Sequence, residues 1–148
     1  MPPKQTRLRP LVMVIDESRH TRKALRFYLS KEGYDVDEAP NSHAAVESAA
    51  DNSPDLILID LNMPGSSGVL ATQRLRSAPH LNDVPVVACA GPDSQAYRDA
   101  ARVAGADAYV TKPFNPAVLL PVVKSLLHRR RTGVLLGSDV TQLSSMVL

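Results

Sequence analysis

The chain has 148 residues, 44% of them hydrophobic and 22% charged, the composition of one globular domain and too apolar for a disordered chain. Its single cysteine, Cys89, excludes a disulfide framework and a cysteine-based zinc cluster, and no apolar run approaches the ~20 residues needed to cross a bilayer. The formal charge of +2 conceals a division: residues 11–127 hold 11 Lys/Arg against 14 Asp/Glu, whereas the flanks are basic. A nucleic-acid binder would place basic charge on a folded face beside base-stacking aromatics. Here it lies on Lys4, Arg7 and Arg9 at one end and on Arg129, Arg130 and Arg131 at the other, with no tryptophan in the chain. Solvated arms, with no nucleic-acid or membrane partner, are therefore expected. The first apolar run ends at once in Asp16-Glu17, which argues against a secretory signal and for a cytoplasmic protein.

In chain order, Leu11–Ile15 (LVMVI) reads as a strand buried on both faces. Arg19–Lys31 follows as a helix with Ala24, Leu25, Tyr28 and Leu29 on one stripe and Arg19, Arg22, Lys23 and Arg26 on another; Gly33 stops it. Tyr34–Ala39 alternates like an outer strand, and Asn41 or Ser42 can cap a helix carrying Ala45, Val46 and Ala49. Leu56–Ile59 is a second buried strand ending in Asp60. Gly65–Gly68 is turn chemistry before a short helix through Leu75. Val84–Cys89, Ser94–Ala104 and Ala108–Thr111 read as the fourth strand, fourth helix and fifth strand, and Asn115-Pro116 opens a fifth helix with asparagine at the cap. In that helix Leu119, Val123 and Leu126 or Leu127 form a core stripe, Leu120 and Val122 fall outside it, and Pro121 predicts a kink or break.

Five strands alternating with five helices over short connections predict a five-stranded parallel sheet with helices on both faces. Right-handed crossovers bring every strand's carboxyl end to one edge, where ligands bind. That edge receives Asp16, Glu17, Asp60, Ala90 and Lys112. Three carboxylates there repel one another unless a hard cation such as Mg²⁺ sits among them, and the lysine offers a fixed positive charge to a phosphoryl oxygen. One carboxylate can then act as nucleophile toward phosphorus, and Asp60, ending the most apolar strand, is the best candidate. The plainer alternative is that each acid caps the turn after its strand.

These segments, VMVIDESR (12–19), DLILIDLNMPGSSG (55–68), VPVVACAG (84–91) and GADAYVTKPF (105–114), resemble the response-regulator receiver domains of two-component signalling. The resemblance implies a flavodoxin-like, CheY-like (βα)5 fold over residues 11–127; outside it, charge and length predict a basic arm over 1–10 and a tail over 128–148 too short for an output domain. It implies Asp60 as phosphoacceptor, Asp16, Glu17, Asp60 and Asn62 as Mg²⁺ ligands, and Lys112 and Gly91 as phosphoryl contacts. Ala90 and Tyr109 fall at the two switch positions, and Lys112-Pro113 at a peptide bond that is usually cis. Two positions depart from the pattern: Glu17 stands where aspartate is usual, and Ala90 where a Ser or Thr hydroxyl normally bonds the phosphoryl group.

The leading expectation is a stand-alone receiver, not an enzyme, phosphorylated on Asp60 by a histidine kinase or phosphotransfer protein and signalling through a downstream protein. Ala90 and Glu17 favour the alternative of a pseudo-receiver that binds partners without switching. An aspartyl-phosphate phosphatase would want a second acid two residues after the first, and Asp16-Glu17-Ser18 lacks it. A flavin-binding relative would want a Ser/Thr/Gly-rich loop after the first strand, and ESRHTR is not one. The basic stripe of Arg19, Arg22, Lys23 and Arg26 reads equally as a docking surface or a solvated face. His20, His43, His80 and His128 lack metal-ligand spacing, and Cys89 reads as a small core residue. Leu120 and Val122 predict a face of the fifth helix covered by the tail or by a second copy of the chain; the resemblance implies that such a copy would pair through the fourth helix, fifth strand and fifth helix.

Overall fold

The computed structural model describes residues 8–62, 68–92 and 94–133. The elements, in order, are β1 (Leu11–Ile15), α1 (Arg19–Lys31), β2 (Asp35–Ala39), α2 (Ser42–Asp51), β3 (Leu56–Asp60), α3 (Gly68–Ser77), β4 (Val86–Ala90), α4 (Gln95–Ala104), β5 (Ala108–Thr111) and α5 (Pro116–Thr132). All strand pairs are parallel and the sheet order is β2-β1-β3-β4-β5. The order reverses between β1 and β3, so the crevice beyond their carboxyl ends is the natural ligand site of the topology.

The two-residue period of the strands explains both cores. Met13, Ile15, Ile57, Ile59, Val86, Ala88, Ala90 and Tyr109 face one side, against Ala45 and Ala49 of α2, Ala71 and Leu75 of α3, and Ala101 of α4. Val12, Val14, Leu56, Leu58, Val87, Cys89, Ala108 and Val110 face the other, against Leu25 and Leu29 of α1 and Leu119, Val122, Val123 and Leu126 of α5. Strands buried on both faces need no polar alternation, hence their continuous apolar runs.

Local chemistry sets the boundaries. Ser18, Asn41, Ser94 and Asn115 cap α1, α2, α4 and α5, each side chain accepting a backbone N–H from the first turn. Gly33, at φ +90°, takes the left-handed conformation that turns the chain from α1 into β2. β4 begins at Val86, two residues later than the sequence suggests, because Pro85 has no N–H to give the ladder, although its carbonyl accepts from Ile57. β4 also reaches Ala90, one residue beyond the expected end.

Three expectations for the last helix are corrected. α5 runs unbroken through Pro121. The proline deprives only the carbonyl of Ala117, which is exposed and can bond water, while the helix buries Leu119, Val122, Val123 and Leu126. Val122 is 0% exposed and Leu120 packs against the same core, so neither forms an outlying apolar face. A single-helix stripe underestimates α5 because α5 lies in the same layer as α1. The helix also extends to Thr132, so residues 128–132 belong to the folded unit rather than to a tail. Three of the flanking charges are likewise bound: Arg9 lies 3.7 Å from Asp35 and donates to the Gly33 carbonyl, Arg129 pairs with Asp107, and Arg130 with Asp83. Residues 1–7 and 134–148, with the rest of the expected arm and tail, lie outside the described residues, as do residues 63–67 and so most of the expected Gly65–Gly68 turn.

Candidate functional site

Asp16 follows β1, Asp60 ends the adjacent β3 and Lys112 follows β5, beyond β4, so all three lie on the carboxyl edge. The ammonium of Lys112 lies 2.9 Å from Asp16 Oδ2 and 3.2 Å from Asp60 Oδ1. Both carboxylates are buried, at 3% and 7% exposure. Charges taken this far from water need partners. Asp16 Oδ1 accepts the N–H of Ser18 and Asp60 Oδ1 that of Asn62, both at 2.9 Å. Burial alone would favour neutral Lys112, but its hydrogen bonds and attraction to Asp16 and Asp60 prevail and hold its pKa above the ordinary value. One cation thus serves two carboxylates. Asp60 Oδ2 accepts no hydrogen bond from any described residue, which leaves it open for chemistry.

A hard divalent ion fits this donor set in kind, since buried, under-neutralised carboxylate oxygens are what such ions select. The expected third carboxylate does not join them: Glu17 is exposed, and among the described residues no three His, Cys, Asp or Glu side chains gather as a metal cluster. The Asn62 side chain instead bridges inward, its Oδ1 accepting the Gly91 N–H and its Nδ2 donating to the Tyr97 hydroxyl, both at 3.0 Å. At Gly91 the chain runs so close to β5 that a Cβ would lie 3.1 Å from Lys112 Cβ and its carbonyl oxygen.

Ala90 is fully buried and, as expected, places no hydroxyl at the site. Tyr109 is wholly buried, packed in the core shared with α2, α3 and α4, with the Arg98 guanidinium 4.7 Å from its ring centre. Lys112-Pro113 is cis, as the resemblance implies, and Gly91-Pro92 is cis as well. The basic stripe of α1 is less available than it reads. Arg22, Lys23 and Arg26 all lie within 3.3 Å of the Glu38 carboxylate on β2, while Arg19 is exposed. Burial of Glu38 opposes its ionisation, yet the hydrogen bonds from Arg26 and Lys23 outweigh that and hold its pKa below the usual value. Cys89 is buried, and burial pushes its thiol pKa far up, as suits an inert core residue.

Sequence reasoning missed a second charged cluster at the opposite, amino-terminal edge. Arg76 of α3 donates to the carbonyls of Gly105, Leu81, Asn82 and Val84 and pairs with Asp107 Oδ2 at 2.6 Å. Asp107 also accepts the Val86 N–H at 2.8 Å, and Arg129 reaches its other oxygen at 3.3 Å. A cleft of about 330 Å³ lies beside it, lined by Asp83, Pro85, Asp107, Arg129 and Arg130. The one sequence signal was the Arg129–Arg131 run, which as a presumed tail had no partner to suggest.

Fold and site together define a doubly wound parallel α/β protein with an acid pair and a lysine at its topological switch point. Residues 12–124 match the family model of the response regulator receiver domain. The chain belongs to that family, whose members work in two-component signalling. It is 35% identical over 118 residues to the transcriptional regulatory protein ResD of Bacillus subtilis, covering 80% of this chain and 48% of ResD. It is 38% identical over 138 residues to PrrA of Mycobacterium tuberculosis, covering 93% and 56%. The chain thus spans about half the length of these relatives. Among solved structures it resembles a putative response regulator from Chloroflexus aurantiacus, with TM-score 0.77, 27% identity and 82% and 99% coverage. It also resembles the chemotaxis protein CheY4 of Vibrio cholerae, with TM-score 0.76, 25% identity and 80% and 98% coverage. Among the described residues no helix is long and apolar enough to cross a membrane.

Proposed function

We propose that this receiver accepts a phosphoryl group on Asp60 from a histidine kinase or phosphotransfer protein, in the cytoplasm, and signals by binding another protein. The observation that supports it is the single Lys112 ammonium shared by two buried carboxylates, one of which keeps an oxygen open. An Asp60 oxygen attacks the phosphorus of a donor phosphohistidine. The O–P bond forms, the P–N bond breaks, and its electron pair returns to the imidazole, which takes a proton. Lys112 neutralises charge on the arriving phosphoryl oxygens, and the close approach at Gly91 keeps the β4 edge against it. Asp16, Asp60 and the Asn62 carbonyl would hold Mg²⁺, and the ion would supply charge neutralisation for the transferred phosphoryl group. In this reading the chain is the acceptor in the transfer and not an enzyme in its own right.

Intact mass after incubation with Mg²⁺ and acetyl phosphate tests it. A gain of one phosphoryl group is expected in the wild type, and none in Asp60→Ala or with chelator. Modification that persists in Asp60→Ala sinks the assignment. Buried Ala90 favours a second reading, a pseudo-receiver that keeps the fold but does not switch. If that hydroxyl alone is missing, Ala90→Thr should enlarge the amide shift changes around Tyr109 on beryllofluoride binding. An identical response in wild type and Ala90→Thr removes this reading's support.

A further inference from the structure

Asn62 is separated from Tyr97 by 35 residues and from Gly91 by 29, yet its side chain touches both. Its amide orientation follows from the partners: the Gly91 N–H can only donate, so Oδ1 faces it and Nδ2 is left to donate to the Tyr97 hydroxyl. Its own backbone N–H donates to Asp60 Oδ1. Tyr97 is half-buried, lies in the first turn of α4 and packs against the core that holds Ala90 and Tyr109. The next residue, Arg98, sits over the Tyr109 ring. A continuous line therefore runs from Asp60 through Asn62 to α4, bypassing the side chain of Ala90.

We propose that Asn62 and Tyr97 form a latch that passes the state of Asp60 to α4, with both acting as positioning residues. The proposal rests on the reading of Asp60 as phosphoacceptor. At rest, the Gly91 N–H is held by Asn62 Oδ1. A phosphoryl group on Asp60 brings charged oxygens to this edge, and a charge-assisted bond to a backbone N–H is roughly twice as strong as a neutral one. The phosphoryl group takes the Gly91 N–H, the Asn62 amide loses the bond that orients it, and the Tyr97 hydroxyl is released. The first turn of α4 then loosens without any hydroxyl at position 90.

Hydrogen exchange of α4 amides, read by mass spectrometry on the full chain with and without Mg²⁺ and beryllofluoride, tests the latch in wild type and Tyr97→Phe. The variant loses one hydroxyl and keeps the ring in the core. At rest, α4 should exchange roughly two- to tenfold faster in Tyr97→Phe, as expected for one lost hydrogen bond of ordinary strength. Beryllofluoride should bring wild type up to that level and add less than half as much in the variant. A hydroxyl with a merely structural role would speed exchange by the same factor in both states and leave the beryllofluoride response intact; that result overturns the latch. Equal resting exchange in the two proteins also overturns it. A wild type that gains no mass from acetyl phosphate retires the phosphoacceptor reading, and the latch falls with it for want of a trigger. A mass gain together with a full response in Tyr97→Phe strikes the latch alone.

Discussion

Two charged clusters, one at each edge of this sheet, hold charge in opposite proportions. At the carboxyl edge one cation, Lys112, serves two carboxylates. At the amino edge two cations, Arg76 and Arg129, serve the single carboxylate of Asp107, and Arg76 also satisfies four backbone carbonyls. The amino edge is therefore saturated: every donor that Arg76 aims inward has an acceptor, and the loop before β4, the end of α3 and the start of β5 are stapled together. The carboxyl edge is short of positive charge and keeps an oxygen, Asp60 Oδ2, with no hydrogen-bond donor among the described residues. The same residue types thus give a structural clamp or a reactive site according to which sign is in excess.

Breaking the clamp should have the largest effect. Arg76→Met leaves Asp107 and several carbonyls short of donors, and removing one partner of a largely buried pair costs about 3 kcal/mol. The urea midpoint should fall accordingly, while acetyl phosphate still modifies Asp60 in the folded fraction. Next in size is a contrast between acids. Asp107→Asn should cost about 1–2 kcal/mol through weakened charged hydrogen bonds. Asp60→Asn should be neutral or stabilising by up to about 1 kcal/mol, because it removes like charge beside Asp16 and leaves the Asp16–Lys112 pair intact. Equal losses in the two variants, measured by the same urea titration, would erase the distinction drawn between the edges.

Arg129→Ala sharpens the comparison at about 0.5–1 kcal/mol, since its bond to Asp107 is longer and more exposed than that of Arg76. The smallest effect concerns Glu38. Its folded pKa is lowered, so its pairing stabilises above the ordinary value near 4.5 and is lost as pH falls through the folded value. Glu38→Gln should cost at most about 1 kcal/mol at pH 7. In acid-unfolding curves the gap between the two proteins should begin to narrow near pH 4.5 and close only below the lowered folded pKa; a gap that does not narrow at all as pH falls would mean the Glu38 charge is not its source.

Much of the fold was legible in the sequence because strands buried on both faces leave apolar runs and helix caps leave Ser or Asn before them. Asp16, Asp60 and Lys112 were legible for a related reason: polar residues that end buried strands are brought together by the parallel topology itself. The Asn62–Tyr97 bridge was not, since it depends on where the first turn of α4 sits relative to the turn after β3, which no periodicity records. Arg76 escaped notice because a charged residue near a helix end looks solvated until the loop that it staples is known. Leu120 and Val122 were misread because a stripe drawn on one helix takes no account of α1 in the same layer. The paired charges of Arg22, Lys23 and Arg26 required knowing that Glu38 lies alongside.

The sheet order leaves β2 and β5 as its outer strands, and each discourages further growth in its own way. β2 carries Asp35 and Asp37 on one face, so a strand arriving from another molecule would have to dock beside two carboxylates. β5 has only four residues, which gives an incoming backbone little ladder to extend. Self-assembly by adding strands edge to edge, the route to aggregates, is thereby opposed at both margins.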